Sequence, residues 1–146
     1  MMIREADLKD FDGIKRLYAQ LNTDDPVVSD GRDYAVFETI VSADHLYLFI
    51  GEVNGKIVAT CYLNYVPNLT RNVSAYCIIE NVVTEKALRN QGHGKSIIKY
   101  ALSYAWSLGC YKAMLQTGST RESTHNFYKS CGFRADEKFA FVARPT

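Results

Sequence analysis

The feature that most constrains this chain is an Asn-Gly pair at positions 54–55. Both residues tolerate positive φ, which a two-residue type I′ hairpin turn requires. On either side lie runs rich in β-forming residues, Leu46 to Val53 and Ile57 to Val66. The pair therefore predicts an antiparallel hairpin, and Pro67 stops its second strand.

Other segments fall into place around that hairpin. Met2 to Glu5 reads as a short opening strand. Ser74 to Thr84 reads as a third long strand, because Ile78, Ile79, Val82 and Val83 are β-formers. Tyr111 to Thr117 is a further strand, and Phe133 to Ala143 a last strand or bent pair. Asp7, with Asp10 three residues on, is an N-cap for a helix carrying Phe11, Ile14, Leu17, Tyr18 and Leu21 at helical spacing. A second helix covers roughly Arg32 to Ala43. Ile97, Ile98, Ala101, Leu102, Ala105 and Leu108 mark the buried stripe of a long helix, with Gly109 at its end. Arg121 to Cys131 is a helix closed by Gly132. The order β-α-α-β-β-β-α-β-α-β predicts an α/β (α+β) chain with a mixed sheet and helices packed on it. At 146 residues this is one domain, spanning 1–146.

Composition narrows the function. With 47% apolar residues and a net charge of +1, the chain is neither disordered nor built with the basic face that duplex nucleic acid requires. The longest aliphatic or aromatic run, Leu46 to Ile50, is too short to span a bilayer, so no membrane partner is expected. Met1 to Glu5 meets charges at once and offers no secretory apolar core. The four cysteines, Cys61, Cys77, Cys110 and Cys131, contain no Cys-x-x-Cys. That is neither a disulfide framework nor a zinc pattern, and it suits a reducing cytoplasm. No metal site is visible.

The chemistry begins at Arg89-Asn90-Gln91-Gly92-His93-Gly94-Lys95-Ser96, between a strand and the long helix. Glycines two apart let the backbone approach a ligand closely. Consecutive N–H groups at the positive end of the helix dipole, with Arg89 and Lys95 beside them, form a cradle suited to a diphosphate. The spacing matches neither Gly-x-x-x-x-Gly-Lys-Ser nor Gly-x-Gly-x-x-Gly.

Arg-x-x-Gly-x-Gly opening a helix after Ile79-Glu80-Asn81-Val82-Val83 resembles the GNAT N-acetyltransferase superfamily. Phe127-Tyr128-Lys129-Ser130-Cys131-Gly132-Phe133 resembles its later Phe-Tyr-x-x-x-Gly-Phe segment. The resemblance covers essentially the whole chain. It implies a GNAT fold, with a mostly antiparallel sheet, splayed strands and flanking helices. It also implies acetyl-CoA as cosubstrate, its pyrophosphate on Gln91 to Ser96 and its pantetheine arm along the backbone near Val82 and Val83. Arg89, Asn90 and Arg121 complete the expected cofactor-binding set. Many relatives carry Asn where this chain has Arg121. A subset reads Arg-x-x-x-His-x-Phe-Tyr, which Arg121, His125, Phe127 and Tyr128 fit, so Asn126 receives no role.

Within that reading Tyr128 is the general acid, since a phenol still holds its proton at pH 7 and can protonate a departing thiolate. Glu80 is the expected base. A carboxylate among Ile78, Ile79, Val82 and Val83 is costly to bury unless paired, and an incoming ammonium would pair it. A backbone N–H near Val82 is the expected oxyanion donor. Asp24, Asp25, Asp30, Asp33 and Glu38 stand against one basic residue, Arg32, between Asn22 and Glu38. An acidic entrance of this kind favours a cationic acceptor. The expected function is therefore direct acetyl transfer to the primary amine of a small, cationic acceptor. The alternatives are a protein or peptide acetyltransferase and a non-catalytic acyl-CoA-binding module. His93 reads as an exposed spacer, and a Cys131–His125 nucleophile pair is not needed for direct attack. The oligomeric state stays open, a homodimer included.

Overall fold

The computed structural model describes residues 1–146. Five strands form one sheet in chain order: β1 (Met2–Glu5), β2 (Leu46–Val53), β3 (Lys56–Val66), β4 (Tyr76–Thr84) and β5 (Ala113–Leu115). Neighbours are antiparallel except β4 and β5, which are parallel. The mixed sheet expected from the sequence is present. The hairpin turns as its sequence dictates, with Asn54 at φ 50° and Gly55 at φ 75°.

α1 (Phe11–Leu21) and α2 (Arg32–Ser42) cover one face, and α3 (His93–Ser107) covers the other. α4 (Glu122–Ser130) follows β5. On the α3 face Phe49, Cys61, Leu63, Cys77 and Ile79 pack on Ile97, Ala101 and Ala105. On the opposite face Leu48, Ile50, Ile57 and Val83 pack on Ile14, Leu17 and Phe37.

In β4 the alternation changes hand. Cys77 and Ile79 face α3, yet Val83 faces α1. Asn81 is the cause. Thr60 pairs with Val83 and Tyr62 with Glu80, so Asn81 and Val82 both stand opposite Cys61. Asn81 takes the extra step at φ 51°. A bulge of this kind inserts one residue and flips every later side chain.

Asp7 and Asp10 form a reciprocal capping box on a 3₁₀ turn, Leu8–Asp10, that runs into α1. The buried Asp10 carboxylate accepts two hydrogen bonds from Arg4, at 2.7 and 2.9 Å, and one from the Asp7 N–H at 2.8 Å. Arg4 also reaches Glu52 at 2.7 Å, tying β1, β2 and the α1 entry together.

Two expectations are corrected. The strand over Tyr111 to Thr117 shrinks to Ala113–Leu115. The last strand over Phe133 to Ala143 does not form. Phe133 packs on the core, but residues from Arg134 onward make no backbone hydrogen bonds. A strand needs a partner edge, and this segment meets none in its own chain. No helix is long and apolar enough to cross a membrane.

Burial pushes the Asp10 carboxyl up, but Arg4 and the Asp7 N–H pull it further down, so it lies below the usual range. A depressed folded value gives stability that is present above about pH 4 and fades as pH falls through that value. Asp10→Asn should cost about 0.5–2 kcal/mol at pH 7, the scale of a lost cap. Urea midpoints of the two proteins should differ at pH 7 and converge below about pH 3.

Candidate active site

β3 pairs with β4 from end to end, but β5 pairs only with Cys77, Ile78 and Ile79. From Glu80 to Thr84 the β5-facing edge of β4 has no partner. At ~3.3 Å per residue that is about 17 Å of open strand edge. The expected splay is therefore present. The Val83 side chain is buried and Val82 packs on the core, so these residues anchor the strand by their side chains and leave its backbone to the gap. The strand end is pinned from behind as well. Glu85, next after Thr84, accepts hydrogen bonds from Arg16 and from Gln20 (2.9 Å) on α1. Arg16, then Gln20, hold its carboxyl below the usual range.

The open edge leads into the glycine turn. Asn90 (φ 61°) and Gly92 (φ 87°) swing the chain round, and α3 starts at His93. The Ser96 N–H is the first to find a helical acceptor, Gly92 O at 3.0 Å. The N–H groups of His93, Gly94 and Lys95 have none, and no side chain caps them. No acidic residue occupies the first turn. Such a terminus, with Lys95 in it, fits an anion. Arg89 folds back to donate from Nε to Thr84 O at 3.2 Å.

The two glycines serve different ends. A Cβ on Gly92 would meet nothing within 4 Å, so its space is free for a ligand and its positive φ sets the turn. A Cβ on Gly94 would stand 2.9 Å from Thr84 Oγ1 and 3.2 Å from Phe127 Cζ. Gly94 is where α4 leans on the start of α3. That contact brings the helix carrying Tyr128 against the glycine turn. Tyr128 is half-buried, its ring 5.2 Å from that of Phe127 and 6.3 Å from that of Phe133. Burial, then the neighbouring Cys131, pushes its phenol up, so it keeps its proton.

Glu80 is not buried, contrary to expectation. The bulge at Asn81 separates it from Val82 and Val83, and it stands exposed on the α1 and α2 side of the sheet. There it faces an open cavity of about 540 Å³ with Tyr62, Asn64, Val66, Ile78 and Asn81. Tyr18 on α1 lies beside Asn81, and burial pushes its phenol well above the usual range. Tyr62 and Asn81 were not foreseen as site residues. The signal for Asn81 was an Asn inside a β-branched strand, since Asn enters the left-handed region more easily than most residues.

Arg121 caps no helix with its side chain and forms no ion pair, standing exposed at the start of α4. His125 is tied at 2.7 Å to Ser119 O, and Cys131 is buried with its thiol pushed up by burial, so the two form no nucleophile pair. The acidic stretch is partly neutralised. Asp33 is paired with Lys15 from α1 and Asp30 with Arg32, leaving Asp24, Asp25 and Glu38 without ion pairs.

The family model for the GNAT acetyltransferases matches residues 14–133. The chain belongs to the GNAT acetyltransferase family. It is thereby an acetyl-CoA-dependent N-acetyltransferase. It is 31% identical over 134 residues to a glucosamine 6-phosphate N-acetyltransferase of Arabidopsis thaliana, covering 89% of this chain and 87% of that one. It is 35% identical over 91 residues to the Trypanosoma brucei brucei protein of the same name, spanning 62% of this chain and 60% of that protein. Among solved structures, a protein assigned to the acetyltransferases from Agrobacterium tumefaciens str. C58 superposes with a TM-score of 0.95. It is 40% identical and covers 99% of this chain and 100% of that one. The free N–H groups of the glycine turn and the uncrowded Gly92 fit the pyrophosphate of that cosubstrate.

If the turn holds the CoA pyrophosphate, Gly92→Glu sets a carboxylate and a left-handed L-residue against it, and titration calorimetry should record a steep loss of CoA affinity. Gly94→Ala should act differently. Crowding Thr84 and Phe127 should cost about 1–3 kcal/mol of stability, as overpacking does, read from the urea midpoint.

Proposed function

We propose that this GNAT enzyme transfers acetyl directly to the primary amine of a small, cationic acceptor held in the cavity beside Glu80. The observation that carries the reading is the placement of Glu80. Its unpaired carboxylate faces a cavity at the point where β4 opens toward the cofactor gap. In this reading Glu80 accepts the proton of the acceptor ammonium, directly or through a water. The backbone at Asn81–Val82, taken out of the regular ladder by the bulge, donates to the acetyl carbonyl oxygen as charge develops there. Tyr128 protonates the sulfur of the leaving CoA. The turn from Gln91 to Ser96, with Arg89, Asn90 and Arg121, holds the pyrophosphate and its flanks.

The acceptor class rests on the cavity lining. Tyr62, Asn64 and Asn81 supply neutral hydrogen-bonding groups, and Glu80 the sole charge. That set suits a hydroxylated amine such as an amino sugar, and the relatives named for glucosamine 6-phosphate support that class. It offers no cation to a phosphate, so the favoured acceptor is an amino sugar or similar amine without one. The whole chain, residues 1–146, works as a single cytoplasmic domain in this reading, consistent with four free cysteines.

Tyr128→Phe should lower turnover by about 10²–10⁴-fold, the scale of general acid–base catalysis, with CoA affinity little changed. Full activity would reduce Tyr128 to packing. Thiol release across an amine panel should favour cationic, unphosphorylated acceptors, and glucosamine over its 6-phosphate. Glu80→Gln should depress turnover most at low pH, where the acceptor arrives as ammonium. At high pH the acceptor is already neutral, and the defect should shrink. An anionic best acceptor, or a defect independent of pH, would contradict the role given to Glu80.

A further inference from the structure

The cavity beside Glu80 is lined without a lysine, arginine or histidine. What it offers a ligand therefore depends on how its two asparagine amides are turned. An amide has N–H donors at one end and a carbonyl oxygen at the other, and the protein decides which end is spent.

Asn64 is decided by its neighbour on β4. It stands opposite Ile78 in the sheet, and Asn64 Nδ2 donates to Ile78 O at 3.3 Å. The reversed amide would set two oxygens against each other, so the nitrogen end is held at the strand. Every fully buried side-chain oxygen or nitrogen in the molecule has a hydrogen-bond partner. Oδ1 of the half-buried Asn64 has none, so it lies on the open side, where the residue lines the cavity. Asn81 is turned in the same sense. Burial pushes the Tyr18 phenol up and the Asn81 amide opposes it, which is the effect of an N–H directed at the phenol oxygen. The Glu80 carboxylate completes a wall of oxygens. Among the lining side chains the Tyr62 hydroxyl alone is free to turn as donor or acceptor.

Glu80 faces Tyr62 across the strands, and Asn64 lies two residues further along β3. Glu80 and Asn64 are therefore diagonal neighbours, about 7 Å apart where they leave the sheet. We infer that Asn64 is a specificity-determining residue, whose Oδ1 accepts a hydrogen bond from a free hydroxyl of the acceptor molecule while the amine sits at Glu80. The inference rests on the acceptor site proposed above. An ether or phosphate oxygen carries no hydrogen to give, and would leave Oδ1 unpaired in a half-buried site. Asn64 thus tells a free hydroxyl from a capped one.

Thiol release from acetyl-CoA, measured with glucosamine and each of its mono-O-methyl ethers, tests this on the wild type, Asn64→Leu and Asn64→Asp. Each ether keeps its oxygen and loses one donor. With the wild type, one ether should fall about 3–10-fold below glucosamine in kcat/KM, mostly through KM, the scale of one neutral hydrogen bond. Asn64→Leu keeps the side-chain volume, so a steric clash with the methyl would persist while a hydrogen bond would not. In that variant glucosamine should drop to the level of the ether, with CoA affinity unchanged. Asn64→Asp keeps an accepting oxygen and should preserve the preference. Equal kcat/KM for glucosamine and all its ethers on the wild type would overturn the inference and leave the acceptor site standing. So would a gap that survives Asn64→Leu. No thiol release with glucosamine would overturn the acceptor site and the inference with it.

Discussion

The unequal pairing of β4 is the constraint on which the rest of the molecule depends. One edge is bonded to β3 along its length, and the other to β5 for three residues only. A strand half released in this way would twist or fray without other support. Here Val83 is locked beneath α1, and Glu85 is held by Arg16 and Gln20 from the same helix. The open edge is therefore rigid without being paired, which is what binding an extended ligand arm by backbone contacts requires.

The bulge at Asn81 divides labour along this strand. Before it, β4 presents Glu80 to the cavity on the α1 and α2 side. After it, Val82 turns to the α3 core and Val83 to the α1 core. A regular strand would place Glu80 and Val82 on one face, and Asn81 and Val83 on the other. The extra residue lets one short stretch face a cavity, an open edge and two cores. The Gly94–Phe127 contact does a comparable task beyond the strand, since it sets α4, and with it Tyr128, against the glycine turn.

Much of this was legible in the residues. Asn54-Gly55 predicts its turn because few pairs accept two positive φ angles. Asp7 and Asp10 predict their cap because the reciprocal bonds need only four residues. The glycine turn is readable for the same reason, being local. What was not legible depends on distant partners. The bulge arises from the register of β3 against β4, which no window of β4 alone contains. Glu80 was expected among apolar neighbours because plain alternation was assumed, and the bulge removes that assumption. The segment Phe133 to Ala143 reads as a last strand or bent pair, but its pairing is absent from its own chain. Likewise Lys15 neutralises Asp33 from a helix that lies outside the acidic stretch in sequence.

The central claim is that the open edge of β4 and the N-terminus of α3 together receive acetyl-CoA. Amide NMR of the free protein, titrated with CoA, tests it most directly. The account predicts that the largest shifts fall on two separated backbone stretches, 80–84 and 92–96, and move together at one affinity. Shifts confined elsewhere, or a response at the glycine turn with none along 80–84, would contradict it.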